Sequence, residues 1–586
     1  MAKPKKQPAA KASQRQSTET PPPPPPPSAA APSTITNVAS RPSKLSLSGV
    51  LFNRDFHRTL SLVLVAAICA PLSQLVLSPV YGSLPASAYH KWGVFISCML
   101  AYAIRGYVPD VVERSLAAFV WWVPTIQFAL LQLSSKLGTP WGAVVTECLT
   151  TFPLITLSLY TASKYLEKVE LGLSDSLAES APPMINYFIF TISTRTMKNT
   201  LPTLMGINKF CTRVSLQFMT AAVYSLLLPR NYFWPAWPSL LFTPLGNIHT
   251  PLDYPTEILE NTLALYNYTL LDRHESLTGY LSVLEDRNQG FRVMRADHSL
   301  LGGIWTNPPN QVKGIVHEPV YAVFTMLEAV RLVEREKTNS KERDTAFVVG
   351  VGAGTAPSAL IAHGVDTTVV EIDPIVHQWA QKYFDMPVKH TAYLGDARAV
   401  VEDQRRSAPA QYDYIIHDVF TGGAEPLELF TLNFLTGLRE LLKPNGAIAI
   451  NYAGNLALPG TSMVYRTIRE VFPSCRVFRE DEQVAAEDTY TIMPEQPDLT
   501  NLVFICTRAS TPVTFRAPTE ADYLGSPSRK SYLLPKHEVA PSRFQQRGEL
   551  LTSANIKGLH AQQLQSAIGH WKLMRTVLPD AVWNAW

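Results

Sequence analysis

Gly350-Val351-Gly352-Ala353-Gly354 follows an apolar, strand-like stretch, Phe347–Val351, and precedes a short helical pattern, Ala356–His363. Glycine lets a backbone turn sharply and approach a ligand closely, because no Cβ intervenes. A strand, a glycine turn and a helix in this order call for a parallel α/β sheet whose first strand ends at a ligand. The residues that follow fit this demand. Strands at Thr367–Ile372, Thr391–Leu394, Tyr412–Asp418 and Ala447–Tyr452 alternate with helices at Pro374–Phe384, Leu427–Leu442 and Ser462–Phe472. Cys475–Arg479 and Leu502–Thr507 read as closing strands, for which antiparallel pairing is open. Such alternation predicts a sheet covered by helices on both faces.

Acidic residues stand at the strand ends. Glu371 lies 17 residues past Gly354, close to the spacing of about 20 at which an acid meets ribose hydroxyls. Asp396 ends the third strand and Asp418 the fourth. In open α/β sheets ligands bind beyond the carboxyl ends of the strands. Gly350, Gly352, Gly354, Glu371 and Asp396 are therefore candidate residues for a nucleoside cofactor. Asp396 is placed to meet an adenine amino group. Asp418 is placed to face the transferred group, where a carboxylate orients a nucleophile or accepts its proton. Asp373 suits the cap of the helix opened by Pro374, and Asp413 lies at the far end of its strand. His417 points to the opposite face from Asp418, and His317 has no second histidine at helical spacing. The six cysteines form no CxxC pair; all read as small buried hydrophobes, and no metal site is expected.

The N-terminal half has a different character. Residues 1–50 carry scattered lysines and the run Pro21–Pro27, a composition expected to stay disordered. Apolar segments follow at Leu60–Leu77, Trp92–Ile104, Leu116–Leu133, Trp141–Tyr160, Met184–Met197 and Val214–Leu228. A membrane-spanning helix needs about 20 mostly apolar residues; the first, third and fourth segments meet that best. Charged residues are only 17% of the 586-residue chain, below the usual ~25% of soluble proteins. The segments predict a polytopic membrane domain of about six spans, inserted in a lipid bilayer. Glu147 and Arg195 are its candidate intramembrane charges. The basic tail should remain cytoplasmic, and an even number of spans would place the α/β domain in the cytosol as well. Asn267-Tyr268-Thr269 is a glycosylation sequon that tests this topology. A net charge of +3 gives no basic face for nucleic acid.

The blocks Gly350–Gly354, Val370-Glu371-Ile372-Asp373, Leu394-Gly395-Asp396-Ala397 and Tyr412–Asp418 together resemble the spermidine/spermine synthases, in a membrane-bound branch of that polyamine-synthase-like superfamily. Arg295–Gly303, Glu318 and Tyr321 are similar to the family's upstream β-hairpin domain. The resemblance covers about Tyr280–Thr507. It implies a Rossmann-like, class I methyltransferase-type α/β domain with a small β-domain before it. It also implies S-adenosylmethionine or its decarboxylated form as cofactor, and catalytic roles for Asp418 and Tyr321. The resulting organisation is a Pro-rich tail (1–50), a transmembrane helical domain (58–230), a small β-strand domain (256–315), a Rossmann-like domain (316–510) and a C-terminal extension (511–586) without a chemical motif.

The departures from that family bear on the reaction. Aminopropyltransferases typically place an aspartate where this chain has Ala353, a second one where it has Thr421, and Gln or His then Glu where Ala322-Val323 follow Tyr321. Burying a polyammonium without such carboxylates is costly. The expectation is a transferase acting on a small amine or other nucleophile, with methyl and aminopropyl transfer both open and a homodimer compatible. A non-catalytic nucleoside or polyamine sensor coupled to the membrane domain is the alternative.

Overall fold

The computed structural model describes residues 53–104, 107–169, 175–228, 234–308, 314–336, 342–420, 423–480 and 499–586. The Pro-rich tail and Thr421 lie outside the described residues.

The helical half begins with α1 (Arg54–Tyr81), capped by Asn53, whose Oδ1 accepts the Asp55 N–H at 2.8 Å. It continues through α2 (His90–Ala103), α3 (Asp110–Leu131), α4 (Trp141–Leu149), α5 (Thr151–Leu166), α6 (Asp175–Leu204) and α7 (Arg213–Leu227). Small residues Ala66, Ala67 and Ala70 are fully buried, which lets α1 pack closely against α5 and α6. Among the described residues, three stretches are long and apolar enough to cross a membrane: Arg54–Tyr81, Arg114–Leu131 and Trp141–Leu166. They are the three segments whose hydropathy met the requirement best. The other three of the six expected spans fall short. The helices α2 and α7 have only 14 and 15 residues, and α6, though 30 residues long, is not apolar enough. Glu147 is buried and satisfied, accepting from Ser73 Oγ at 3.0 Å and lying 2.6 Å from His90 Nδ1. Arg195 is exposed.

A five-stranded antiparallel sheet follows, in the order β1 (Tyr268–Ser276), β2 (Gly279–Asp286), β3 (Phe291–Ala296), β4 (Ser299–Trp305), β5 (Glu318–Pro319). Its β4 covers Ser299–Gly303, a stretch whose closing Gly302-Gly303 predicts a turn. Gly302 and Gly303 serve close approach there: a Cβ on Gly303 would meet the Arg292 carbonyl, and one on Gly302 would meet Ala353. The helical half is locked to this sheet by Arg213 of α7. Fully buried, it pairs with Glu275 and Asp297 and donates to the Leu75 carbonyl at 2.6 Å.

The main sheet has eight strands: β6 (Thr345–Val349), β7 (Asp366–Glu371), β8 (Thr391–Leu394), β9 (Tyr412–His417), β10 (Leu442–Asn455), β11 (Ser474–Arg479), β12 (Leu499–Thr507) and β13 (His537–Glu538), in the order β13-β11-β12-β10-β9-β6-β7-β8. The strands β8, β7, β6, β9 and β10 run parallel, whereas β12, β11 and β13 pair antiparallel. Strand order reverses between β6 and β9, where such sheets open a ligand crevice. The connecting helices are α8 (Thr355–Ala362), α9 (Pro374–Phe384), α10 (Ala397–Ser407), α11 (Leu432–Leu441) and α12 (Pro459–Val471); α13 (His560–Val577) lies near the C-terminus. The helical spacing of Val320, Val323, Phe324, Leu327 and Val330 predicts a helix over Val320–Glu334; the structure has a helix at Ala322–Leu327 and a 3-10 turn at Glu328–Leu332. Alternation along the strands fills both faces: Phe347, Ile415, Ile448 and Leu435 share one core, Val348, Ile416, Ala449 and Ile505 the other. Truncating Ile415 to alanine would cost about 2–5 kcal/mol.

Two cysteines are not simple hydrophobes. Cys475 and Cys506 face each other in the β11–β12 register and form a disulfide. Disulfides persist in oxidising compartments and are reduced in the cytosol, so this pair stands against the expected cytosolic placement.

Candidate active site

The glycine loop leaves β6 with Gly350, Gly352 and Gly354 all at positive φ, 87°, 52° and 78°. A Cβ on Gly350 would collide with the Asp418 carbonyl, and one on Gly352 with the Leu301 carbonyl. The loop is thus pressed between β9 and the small β-domain, and side chains there are sterically excluded.

Glu371 ends β7 behind this loop. Its Oε2 accepts the Val351 N–H at 2.9 Å and its Oε1 the Asp373 N–H at 3.0 Å. Burial pushes its carboxyl up to about 7, against the opposing pull of these N–H donors. Asp373 caps α9 through Ile375 N, as its place before Pro374 required, and is also gripped by Ser276 and Thr278 from the β1–β2 hairpin. Asp396 caps α10 through Arg398 N and is chelated by the Arg398 guanidinium, which holds its carboxyl below the ordinary range. Asp413 is occupied at the far strand end by Arg335 and Lys443. His417 lies 2.9 Å from the Leu429 carbonyl, away from Asp418.

Gly350, Gly352, Glu371, Asp396, Asp418 and Tyr321 all line one cavity of about 760 Å³, within the size range of small-molecule sites. Gly354 does not line it; it opens α8 in a left-handed conformation. Burial pushes the Asp418 carboxyl up to about 6, partly offset by the hydrogen bond from Asn451 Nδ2 at 2.9 Å. Tyr321 has a buried hydroxyl without a partner, and burial raises it to about 12. Ala353 does not line the cavity. It is buried against Leu301 and Gly302 of the β-domain.

Several lining residues escaped the sequence. Asn451 comes from within β10, Glu480 from just past the end of β11, and Thr500 and Asn501 from β12. His570, Leu573, Met574 and Val577 come from α13, in the extension that had no motif. His570 packs its ring against Phe420 at 4.8 Å, and burial lowers it to about 4, so it remains neutral. Among the described residues no cluster of three metal-ligating side chains occurs.

The cavity suits a sulfonium nucleoside. Its lining includes a sharply turned glycine loop, Glu371, and the unpaired polar atoms of Tyr321 and Asn451. A doubly wound sheet with this site at its switch point defines a Rossmann-like transferase that uses S-adenosylmethionine or its decarboxylated form. No family model matches the chain. It is 42% identical over 550 residues to the N-terminal histidine N-methyltransferase of Emericella nidulans, covering 90% of this chain and 96% of that protein. The chain belongs to the family of that enzyme. It is also 30% identical over 159 residues to the polyamine aminopropyltransferase of Vibrio vulnificus, covering 26% of this chain and 52% of that protein. Among solved structures, spermidine synthase from Thermotoga maritima aligns at 17% identity and a TM-score of 0.30, over 42% of this chain and 74% of that one.

Proposed function

We propose that this chain is a membrane-anchored methyltransferase that uses S-adenosylmethionine to modify the imidazole of a histidine at a protein N-terminus, rather than a free polyamine. The observation that carries this reading is the composition of the acceptor end. Asp418 and Asn451 stand there together, while Ala353 is turned into the β-domain interface and offers nothing to an aminopropyl amine. The acceptor itself is taken from the relative that matches nearly the whole chain.

The glycine loop and Glu371 would hold the nucleoside, and Asp396 would edge the adenine. When bound, the cofactor supplies a methyl carbon beside a sulfonium, open to in-line attack with sulfur as leaving group. The chain's contribution is placement, which by itself lowers the barrier by several kcal/mol, up to about 7–11. Asp418 accepts the N–H of the ring nitrogen that does not attack. It keeps the attacking nitrogen's lone pair free and takes up the proton released as the ring becomes methylated. Tyr321 and Phe324 wall the acceptor end. The three long apolar helices anchor the domain to the bilayer, a role tested by extraction with detergent against alkaline carbonate.

The decisive assay incubates the full-length chain with S-adenosylmethionine and peptides bearing histidine at the first or at an internal position. One methyl group confined to the terminal histidine is expected. Transfer to putrescine or spermidine from the decarboxylated cofactor, with the peptides untouched, would replace this reading by aminopropyl transfer.

A further inference from the structure

Asn451 enters the cavity from β10, next to Asp418 from β9. Ile450 and His417 are partners in the parallel register, so Asp418, just past the end of β9, lies beside Asn451, where β10 runs on to Asn455. Asn451 Nδ2 donates to Asp418 Oδ1 at 2.9 Å. That bond fixes the amide's orientation, because a carboxylate only accepts. The amide oxygen of Asn451 is therefore the end not engaged by Asp418. It is buried, and it has no hydrogen-bond partner among the described residues. A buried acceptor left unpaired is costly, and this one belongs to a side chain lining the cavity. The result is two adjacent acceptors, one anionic and one neutral, with no donor yet supplied to the second.

A terminal histidine carries a matching pair of donors: a ring N–H, and an α-amino group a few bonds away that is cationic near neutral pH. We infer that Asn451 Oδ1 receives the α-amino group of the acceptor while Asp418 receives its ring N–H, so that Asn451 is the residue that restricts the site to histidine in the first position. This rests on the histidine reading above. An internal or acetylated histidine presents an amide in place of the amine. It offers a single uncharged N–H there, attached to a bulky acyl group. The other titratable groups on the cavity leave this assignment intact: Glu371 and Asp396 lie at the nucleoside end, His570 is neutral, and Tyr321 is protonated. Glu480 lines the cavity just past β11.

The test uses the full-length chain in detergent, a histidine-first peptide and its N-acetylated form. Peptide binding is measured by calorimetry with S-adenosylhomocysteine present, and steady-state kinetics are measured alongside. Replacing Asn451→Leu should raise KM and Kd for the free-amine peptide about 10- to 100-fold, the scale of a hydrogen bond to a charged group. Affinity for S-adenosylhomocysteine should stay unchanged. The preference for free over acetylated peptide should vanish, and the smaller Asn451→Ser, whose hydroxyl is too short to reach, should lose the same preference. Either variant keeping the wild-type preference would overturn the inference alone. A wild-type chain that neither binds nor methylates the free-amine peptide would overturn it together with the histidine reading.

Discussion

Glu371 Oε2 accepts the backbone N–H of Val351 at 2.9 Å, so the acid at the end of β7 braces the glycine loop as well as facing the cavity. Its carboxyl, raised to about 7 by burial, is neutral below that pH and charged above it. A charged carboxylate is the stronger acceptor for ribose hydroxyls. Affinity for S-adenosylhomocysteine should therefore rise roughly tenfold between about pH 6 and pH 8. Glu371→Gln should flatten that profile and weaken binding about 10- to 100-fold. The effect on stability of the cofactor-free chain has the opposite sign. A folded value above the ordinary 4.5 contributes stability that is full below 4.5 and is lost as pH rises through about 7. Calorimetric titrations across this range check the first part, and melting curves with and without cofactor the second.

Ala353 is 4% exposed and packs on Leu301 and Gly302 across the interface with the β-domain. Ala353→Asp, the substitution that would mimic an aminopropyltransferase, should leave a carboxylate buried without a cation. We expect a loss of about 3–5 kcal/mol and no gain of aminopropyl transfer. Chemical denaturation measures the loss, and turnover with the decarboxylated cofactor and putrescine measures the activity. A stable variant that transfers aminopropyl groups would show that this side chain reaches the cavity.

The part of the cavity proposed for the nucleoside was legible because its signals are local. The turn, Glu371, Asp396 and Asp418 each sit at the end of a strand whose apolar pattern is unbroken, and strand ends in a parallel sheet converge. The part proposed for the acceptor was not legible. Asn451 sits inside the plain strand Ala447–Tyr452, and only the β9–β10 register places it beside Asp418. His570 and Leu573 belong to a helix of weak amphipathic pattern, brought to the cavity by tertiary packing. Cys475 and Cys506 have no motif spacing; they meet because β11 and β12 pair antiparallel. Ser299–Gly303 looked like a turn because glycine usually breaks strands, whereas here glycine serves cross-strand approach and contact with Ala353.

Arg295 joins three parts of the molecule. Fully buried, it donates to the carbonyls of Val582, Ala585, Trp583 and Pro79, and Nε donates to Asp297 O. Its guanidinium lies 4.9 Å from the Trp583 ring. The segment it holds follows α13, which lines the cavity, and Pro79 belongs to the first long apolar helix. Arg295→Met would leave these carbonyls unpaired and cost about 3–5 kcal/mol. Because α13 supplies Leu573 and Met574 to the cavity wall, affinity for S-adenosylhomocysteine should fall with the melting temperature. A variant that melts lower yet binds as before would separate the anchor from the site.

The Cys475–Cys506 disulfide and Asn267 report on the same question from different ends of the folded domain. Asn267 is exposed, in a left-handed turn just before β1, and its sequon continues into Tyr268-Thr269. If the domain faces an oxidising lumen, both sites should be modified: the two cysteines resist alkylation until reduced, and glycosidase treatment increases mobility on a gel. The disulfide closes a loop with a sequence separation of 31, so its removal by Cys506→Ala should cost about 2–4 kcal/mol. If the domain faces the cytosol, both cysteines alkylate without reductant, Asn267 remains bare, and Cys506→Ala costs only what its buried side chain contributes to packing. We expect the first pattern, since the paired cysteines outweigh the charge of a tail whose orientation rule applies near the membrane ends. Alkylation mass spectrometry on the chain taken from its native host distinguishes the two.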